Sequence, residues 1–250
     1  MCVFRLNQDH FLFKLLGKVC CVKCLKENGL LPMTKPYLEP QKSPVAVVFD
    51  WDNTLVDTMQ VLYKALCETL THFKKSLPTF QEFLKMPQHA IRHDFAELFK
   101  ERAEVAEKFF IQAILRLHED ETRPMPGAEK LLHYLKGRGI YMAVASNKNG
   151  GLLRKEVAAL SWEDFFSRTI GSYDTPEDKP SALPLLEALR GGPQPGQDVW
   201  FVGDAAVDTL CAHNAGCLPV SFGEQAIVED VPSVKGIDCP TLLRTIKDLP

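Results

Sequence analysis

Residues 45–58, Val45-Ala46-Val47-Val48-Phe49-Asp50-Trp51-Asp52-Asn53-Thr54-Leu55-Val56-Asp57-Thr58, decide how this chain is read. Val45 to Phe49 form a short apolar run, β-branched at three positions and preceded by Pro44, which predicts a buried strand. The strand ends in Asp50 and Asp52. Residues two apart on a strand point to the same side, so two carboxylates leave the end of a buried strand together. Burying them unpaired costs several kcal/mol or more, so they need a cation, a proton or solvent. Capping of the next helix is the plain alternative for an isolated Asp-x-Asp. A calcium loop fails, because its sixth position is Leu55 where Gly is needed and its twelfth is Val61 where Glu is needed.

The 250 residues are 46% hydrophobic and 24% charged, enough for one large domain or a core with an insert. A net charge of −3 gives no general reason to bind nucleic acid or an anionic membrane. No apolar run approaches the roughly 20 residues that span a bilayer. Of the eight cysteines, three crowd into Cys20, Cys21 and Cys24 and the rest are scattered, which argues against a secreted disulfide framework and for a reducing cytoplasm.

Residues 1–43 read as an N-terminal extension and linker, with Met33 as an alternative start. Cys21 and Cys24 have zinc-knuckle spacing, but no second Cys or His pair follows nearby. After Thr58 the apolar spacing becomes helical and stays so to about residue 120, which predicts an all-helical insert over 58–123. From residue 124 strands and helices alternate. Strands are expected over 140–145, 165–171, 199–202 and 218–222, with helices over 127–138, 150–160, 180–190 and 205–215. Such alternation implies an α/β fold: a Rossmann-like parallel sheet with helices on both faces, built from 44–57 and 124–250.

Asp50, Ser146 and Asp204 each follow an apolar strand, and Lys179 lies in the loop after another. In open parallel sheets ligands bind outside the carboxyl ends of the strands. Taken singly, Ser146 reads as a helix N-cap, Lys179 as a solvated loop lysine, and Asp204 and Asp208 as caps. Jointly they deliver two kinds of charge and a hydroxyl to one edge.

That order resembles the four motifs of the haloacid dehalogenase-like hydrolases. Asp50-x-Asp52-x-Thr54 is similar to the first, Ser146 to the second, Lys179-Pro180 to the third, and Gly203-Asp204-x-x-x-Asp208 to the fourth. The helical insert falls where this family carries a helical cap, as in phosphoglycolate phosphatases. One departure is Asn53, where Gly is commonest. The resemblance implies a magnesium-dependent phosphatase of a small phosphorylated metabolite. Asp50 would be the nucleophile, Asp52 the general acid and base, and Lys179 the cation that offsets phosphate charge. Thr54, Ser146 and Asn147 would bind the phosphoryl oxygens. Asp50, the backbone carbonyl of Asp52, and Asp204 would hold Mg²⁺, with Asp208 acting through a water. Gln88, His89, Arg92 and His93 lie near the start of the third cap helix. They read either as a solvated helix face or, for Arg92 and His93, as residues that select the substrate, Arg92 by pairing with a carboxylate or second phosphate. A phosphomutase of β-phosphoglucomutase type shares all four motifs, and a non-catalytic binding protein on the same fold is the rival from another class.

Overall fold

The computed structural model describes residues 40, 42–86, 90–121, 123–222, 234–236 and 238–249. The extension up to residue 39, with Cys21, Cys24 and Met33, lies outside the described residues, as do Gln88 and His89.

The centre of the body is β1 (Ala46–Phe49), every residue of which is buried. It pairs in parallel with β4 (Tyr141–Asn149) on one side and β6 (Val199–Gly203) on the other. With β5 (Arg168–Ser172), β7 (Leu218–Phe222) and β8 (Val234–Gly236) they make a parallel sheet in the order β5-β4-β1-β6-β7-β8. Strands buried on both faces lose the apolar–polar alternation of a half-exposed sheet, which is why β1 reads as a continuous apolar run. Val47 and Phe49 pack with α5 (Ala128–Gly137), α6 (Gly150–Ala159) and α9 (Cys239–Asp248). Ala46 and Val48 face the other way, against α7 (Leu183–Ala188) and α8 (Ala206–Asn214). The sheet therefore carries helices on both faces.

Two short strands carry the chain out of this body and back. β2 (Val56–Asp57) pairs antiparallel with β3 (Arg123–Pro124). Between them run α1 (Met59–His72), α2 (Phe80–Phe83), α3 (Ile91–Phe99) and α4 (Ala103–Glu121). Their apolar faces meet in a cluster of their own, centred on Val61, Leu70, Phe95, Phe99, Phe110 and Ile114. Full burial of such a side chain stabilises by about 1.5–3 kcal/mol, so this cluster is a substantial second core. Leu152 at the start of α6 joins it from the body.

One strand is longer than its sequence suggests. The apolar run ends at Ala145, but β4 continues to Asn149. Its register with β5 shifts between Ala145 and Asn149, and pairing resumes at Asn149 with Ser172. Gly171 permits the close crossing there: a Cβ on it would lie 2.5 Å from Gly150 Cα and 2.6 Å from the Lys148 carbonyl oxygen. The irregular stretch holds Ser146, Asn147 and Lys148.

Candidate active site

The carboxyl ends of β1, β4 and β6 and the loop after β5 bring the predicted residues together. Asp50 follows β1, its backbone N–H bonded to the Val202 carbonyl at 2.8 Å, and it is 3% exposed. Lys179 Nζ lies 2.6 Å from Asp50 Oδ1 and 2.7 Å from Asp208 Oδ1. Asp208 Oδ2 accepts the Ala205 N–H at 3.0 Å. Gly203 makes room for that carboxylate, since a Cβ at 203 would fall 2.3 Å from Asp208 Cγ. Asp204 accepts from Asn53 Nδ2 at 2.6 Å and from the Thr54 hydroxyl at 3.4 Å. Asn53 adopts φ 58°, the left-handed region that Gly and Asn enter at least cost, which accounts for Asn at a position where Gly is expected.

Oxygen atoms of Asp50, Asp204 and Asp208 all lie within 4.8 Å of one another, and all three residues are buried. One ammonium faces three carboxylates. Burial, then the negative charges of Asp208 and Asp204, push the Asp50 carboxyl up to about 8 against the opposing pull of Lys179. Burial disfavours the Lys179 ammonium, but Asp208 and Asp50 outweigh it and hold the amine charged. The cluster is therefore short of positive charge and takes up a proton or a further cation. An all-oxygen donor set fits a hard divalent cation such as Mg²⁺.

Asp52 stands apart from that cluster. Its Oδ1 accepts from the Thr58 hydroxyl at 2.5 Å and from Lys148 Nζ at 2.6 Å. Lys148 also reaches Glu156 Oε2 at 2.7 Å, and Glu156 accepts the Trp51 indole N–H at 2.6 Å. Lys148 and Glu156 were not expected from the motifs. A signal existed: Glu156 falls on the same helical stripe as Leu152, Leu153 and Val157, where a carboxylate needs a buried partner.

The remaining predicted residues divide. Ser146 is buried at the edge of the cluster, its Oγ accepting the Lys148 N–H at 3.2 Å. The Asn147 side chain clamps the Lys179 backbone, accepting its N–H at 2.9 Å and donating to its carbonyl at 3.2 Å. Arg92 and His93 are not among the cavity-lining residues. Arg92 Nε bonds Asp178 Oδ2 at 2.5 Å, and its guanidinium lies 5.0 Å from the centre of the Tyr173 ring. His93 Nε2 lies 3.2 Å from the same Asp178 oxygen. Their geometry ties the helical insert to the loop that carries Lys179.

A cavity of about 210 Å³ opens between the insert and the strand ends. Asp50, Asp52, Ser146 and Lys179 line its floor, and side chains of α1, α3 and α4 line its walls.

Comparison with known proteins agrees with this geometry. The family model described as haloacid dehalogenase-like hydrolase matches residues 47–220. A phosphoglycolate phosphatase of Neisseria meningitidis is 33% identical over 190 residues, covering 71% of this chain and 80% of its own. A HAD-superfamily hydrolase structure from Ehrlichia chaffeensis superposes with a TM-score of 0.57 at 30% identity, covering 84% of this chain and 99% of its own. The structure of a predicted phosphoglycolate phosphatase from Haemophilus somnus superposes with a TM-score of 0.70 at 22% identity, covering 82% of this chain and 98% of its own, and speaks for the fold alone.

Proposed function

Because this chain belongs to the haloacid dehalogenase-like hydrolases, we propose that it hydrolyses a small phosphate monoester through a phosphoryl group carried on Asp50. The observation that carries the reading is the meeting of Asp50, Lys179, Asp204 and Asp208 at the strand ends, with Asp52 beside them on the floor of one cavity.

A carboxylate oxygen of Asp50 attacks phosphorus, and the ester oxygen leaves with a proton from Asp52. Asp52 then takes a proton from the water that attacks the phosphoryl group, releasing phosphate and restoring Asp50. Thr58 and Lys148 both bond Asp52 Oδ1, which leaves Oδ2 for the proton transfers. Lys179 orients Asp50 and offsets phosphate charge, and Ser146 on the same floor serves as a donor to phosphoryl oxygens, whereas Thr54, fully buried with its hydroxyl on Asp204, steadies that carboxylate. Asn147 acts at one remove, by fixing the Lys179 backbone. Asp50, the Asp52 carbonyl and Asp204 would hold Mg²⁺, with Asp208 supporting it through water. When bound, the ion neutralises charge on the phosphoryl oxygens.

Residues 58–123 act as the cap over this site, and 44–57 with 124–250 as the catalytic body. A cytoplasmic location accords with the free thiols of Cys67, Cys211, Cys217 and Cys239. Among the described residues no helix is long and apolar enough to cross a membrane.

The test is release of inorganic phosphate from a panel of monoesters by the purified full chain, with and without Mg²⁺. Metal-dependent release is expected. Conversion of a sugar 1-phosphate to its 6-phosphate without net release overturns the reading in favour of a mutase, and no turnover of any ester overturns it in favour of a binding protein.

A further inference from the structure

The cavity above the cluster has two unlike ends. Its floor is polar and charged. Its walls are Leu62, Leu66, Phe95, Leu98, Ile111 and Ile114 from the insert. Among the described residues only two cations line it, Lys148 and Lys179. Both are buried and already held between two carboxylates, Lys148 by Asp52 and Glu156, Lys179 by Asp50 and Asp208. The cap's Arg92 is turned away onto Asp178. The charged cap residue that does line the cavity is Asp94, an acid.

A second anionic group on the substrate would have to lose its water against these walls with no further cation among the described residues to receive it. An apolar group would gain from the same burial. We propose that the substrate is the monophosphate of an apolar alcohol, alkyl or aryl, whose hydrocarbon part fills the cavity between α1, α3 and α4 while the phosphate sits on Asp50. This rests on the phosphatase reading above and departs from the carboxylated substrate in the names of similar proteins.

The experiment measures kcat/KM of the full chain with Mg²⁺ for n-alkyl monophosphates from ethyl to hexyl and for 2-phosphoglycolate, with an aryl phosphate as the activity control. Each added methylene should raise kcat/KM about fourfold until the cavity is full. 2-Phosphoglycolate should fall below ethyl phosphate, which has the same carbon number without the carboxylate. A flat alkyl series, or 2-phosphoglycolate ahead of hexyl phosphate, overturns the proposal while leaving the phosphatase reading intact. Absence of turnover on every ester, the aryl control included, overturns the phosphatase reading and the proposal with it. Leu66→Arg places a cation in the apolar wall. It should raise 2-phosphoglycolate relative to hexyl phosphate by about tenfold or more, the scale of one charged contact. An unchanged ratio in a folded variant overturns the assignment of the hydrocarbon to this wall, and the wild-type series decides if that variant does not fold.

Discussion

The ammonium of Lys148 stands 2.6 Å from the Asp52 carboxylate, in a pocket that leaves 3% of the lysine side chain exposed. Burial alone would discharge it. Asp52 and Glu156 outweigh that cost and hold its pKa above the ordinary lysine value. Asp52, the proposed acid and base, is thus tied, through one cation, to a carboxylate on α6 and to the indole of its neighbour Trp51. Loss of the cation removes the ammonium that the buried Glu156 and Asp52 share.

Lys148→Met should therefore be costly. Removing one partner of a buried ion pair typically costs about 3–5 kcal/mol. Urea unfolding should show a loss in that range, with kcat reduced as Asp52 loses its fixed orientation. A loss below about 1 kcal/mol, the level of an exposed pair, would mean that the network contributes little.

Arg92 carries a different expectation from the one its sequence position suggests. It bonds the carboxylate of Asp178 and the Pro176 carbonyl, one residue and three residues before Lys179. Arg92→Ala should cost about 1.5–3 kcal/mol, the range for hydrogen bonds to charged groups. Turnover of all phosphate esters should fall by a similar factor, because the substitution loosens the insert against the body and touches no leaving group. A change in substrate ranking, measured on the same panel, would return Arg92 to the specificity role.

How much of this was legible in the sequence follows from what each residue is paired with. β1 was plain because a strand buried on both faces has no alternation to obscure it, and the groups at strand ends follow from chain order. The wall of α4 was legible only in part. Val105, Phe109, Ala113 and Leu117 carry helical spacing, yet Val105 is 60% exposed and the buried face runs through Ala106, Phe110, Ala113 and Ile114. Several apolar stripes compete on that helix, and only tertiary packing chooses among them. The β2–β3 pair is too short to leave a period. α9 is amphipathic, with an Asp238 cap and buried Leu242, Leu243 and Ile246, but no motif drew the reading that far along the chain. The partner of Lys148 was hidden because ion pairing across eight residues of irregular strand and helix leaves no spacing rule.

Metal binding should depend on pH. The Asp50 carboxyl is raised to about 8 in the metal-free protein, by burial first and then by Asp208 and Asp204. Its unfolded value is about 3.9. The folded state therefore binds the extra proton between those values, and the stability that proton brings is present below about pH 4 and lost as pH rises through about 8. Mg²⁺ held by Asp50 would compete with the same proton. Calorimetric titration should show affinity for Mg²⁺ increasing from pH 5 to pH 8 with release of up to about one proton per ion. The protein stripped with a chelator should lose thermal stability over that range, and Mg²⁺ should restore it. Affinity that does not change with pH would show that Asp50 binds the ion without giving up a proton.

The division of labour between Asp50 and Asp52 gives the last prediction. Lys179 holds Asp50, whereas Lys148 and Thr58 hold Asp52, so the two carboxylates of one loop occupy separate electrostatic settings. Asp50→Asn removes the attacking oxygen and should abolish turnover of every ester. Asp52→Asn keeps the nucleophile and removes the acid and base, a loss of about 10²–10⁴-fold on alkyl phosphates. An aryl phosphate with an acidic phenol needs less help to leave, so its first step should suffer less than the second, which still needs a base for water. The Asp52→Asn protein should then show a burst of phenol followed by slow turnover. Mass spectrometry after an acid quench should find the phosphoryl group on the peptide containing Asp50. A phosphoryl group on any other residue, or wild-type turnover of an alkyl phosphate by Asp52→Asn, would reverse the assignment of the two roles.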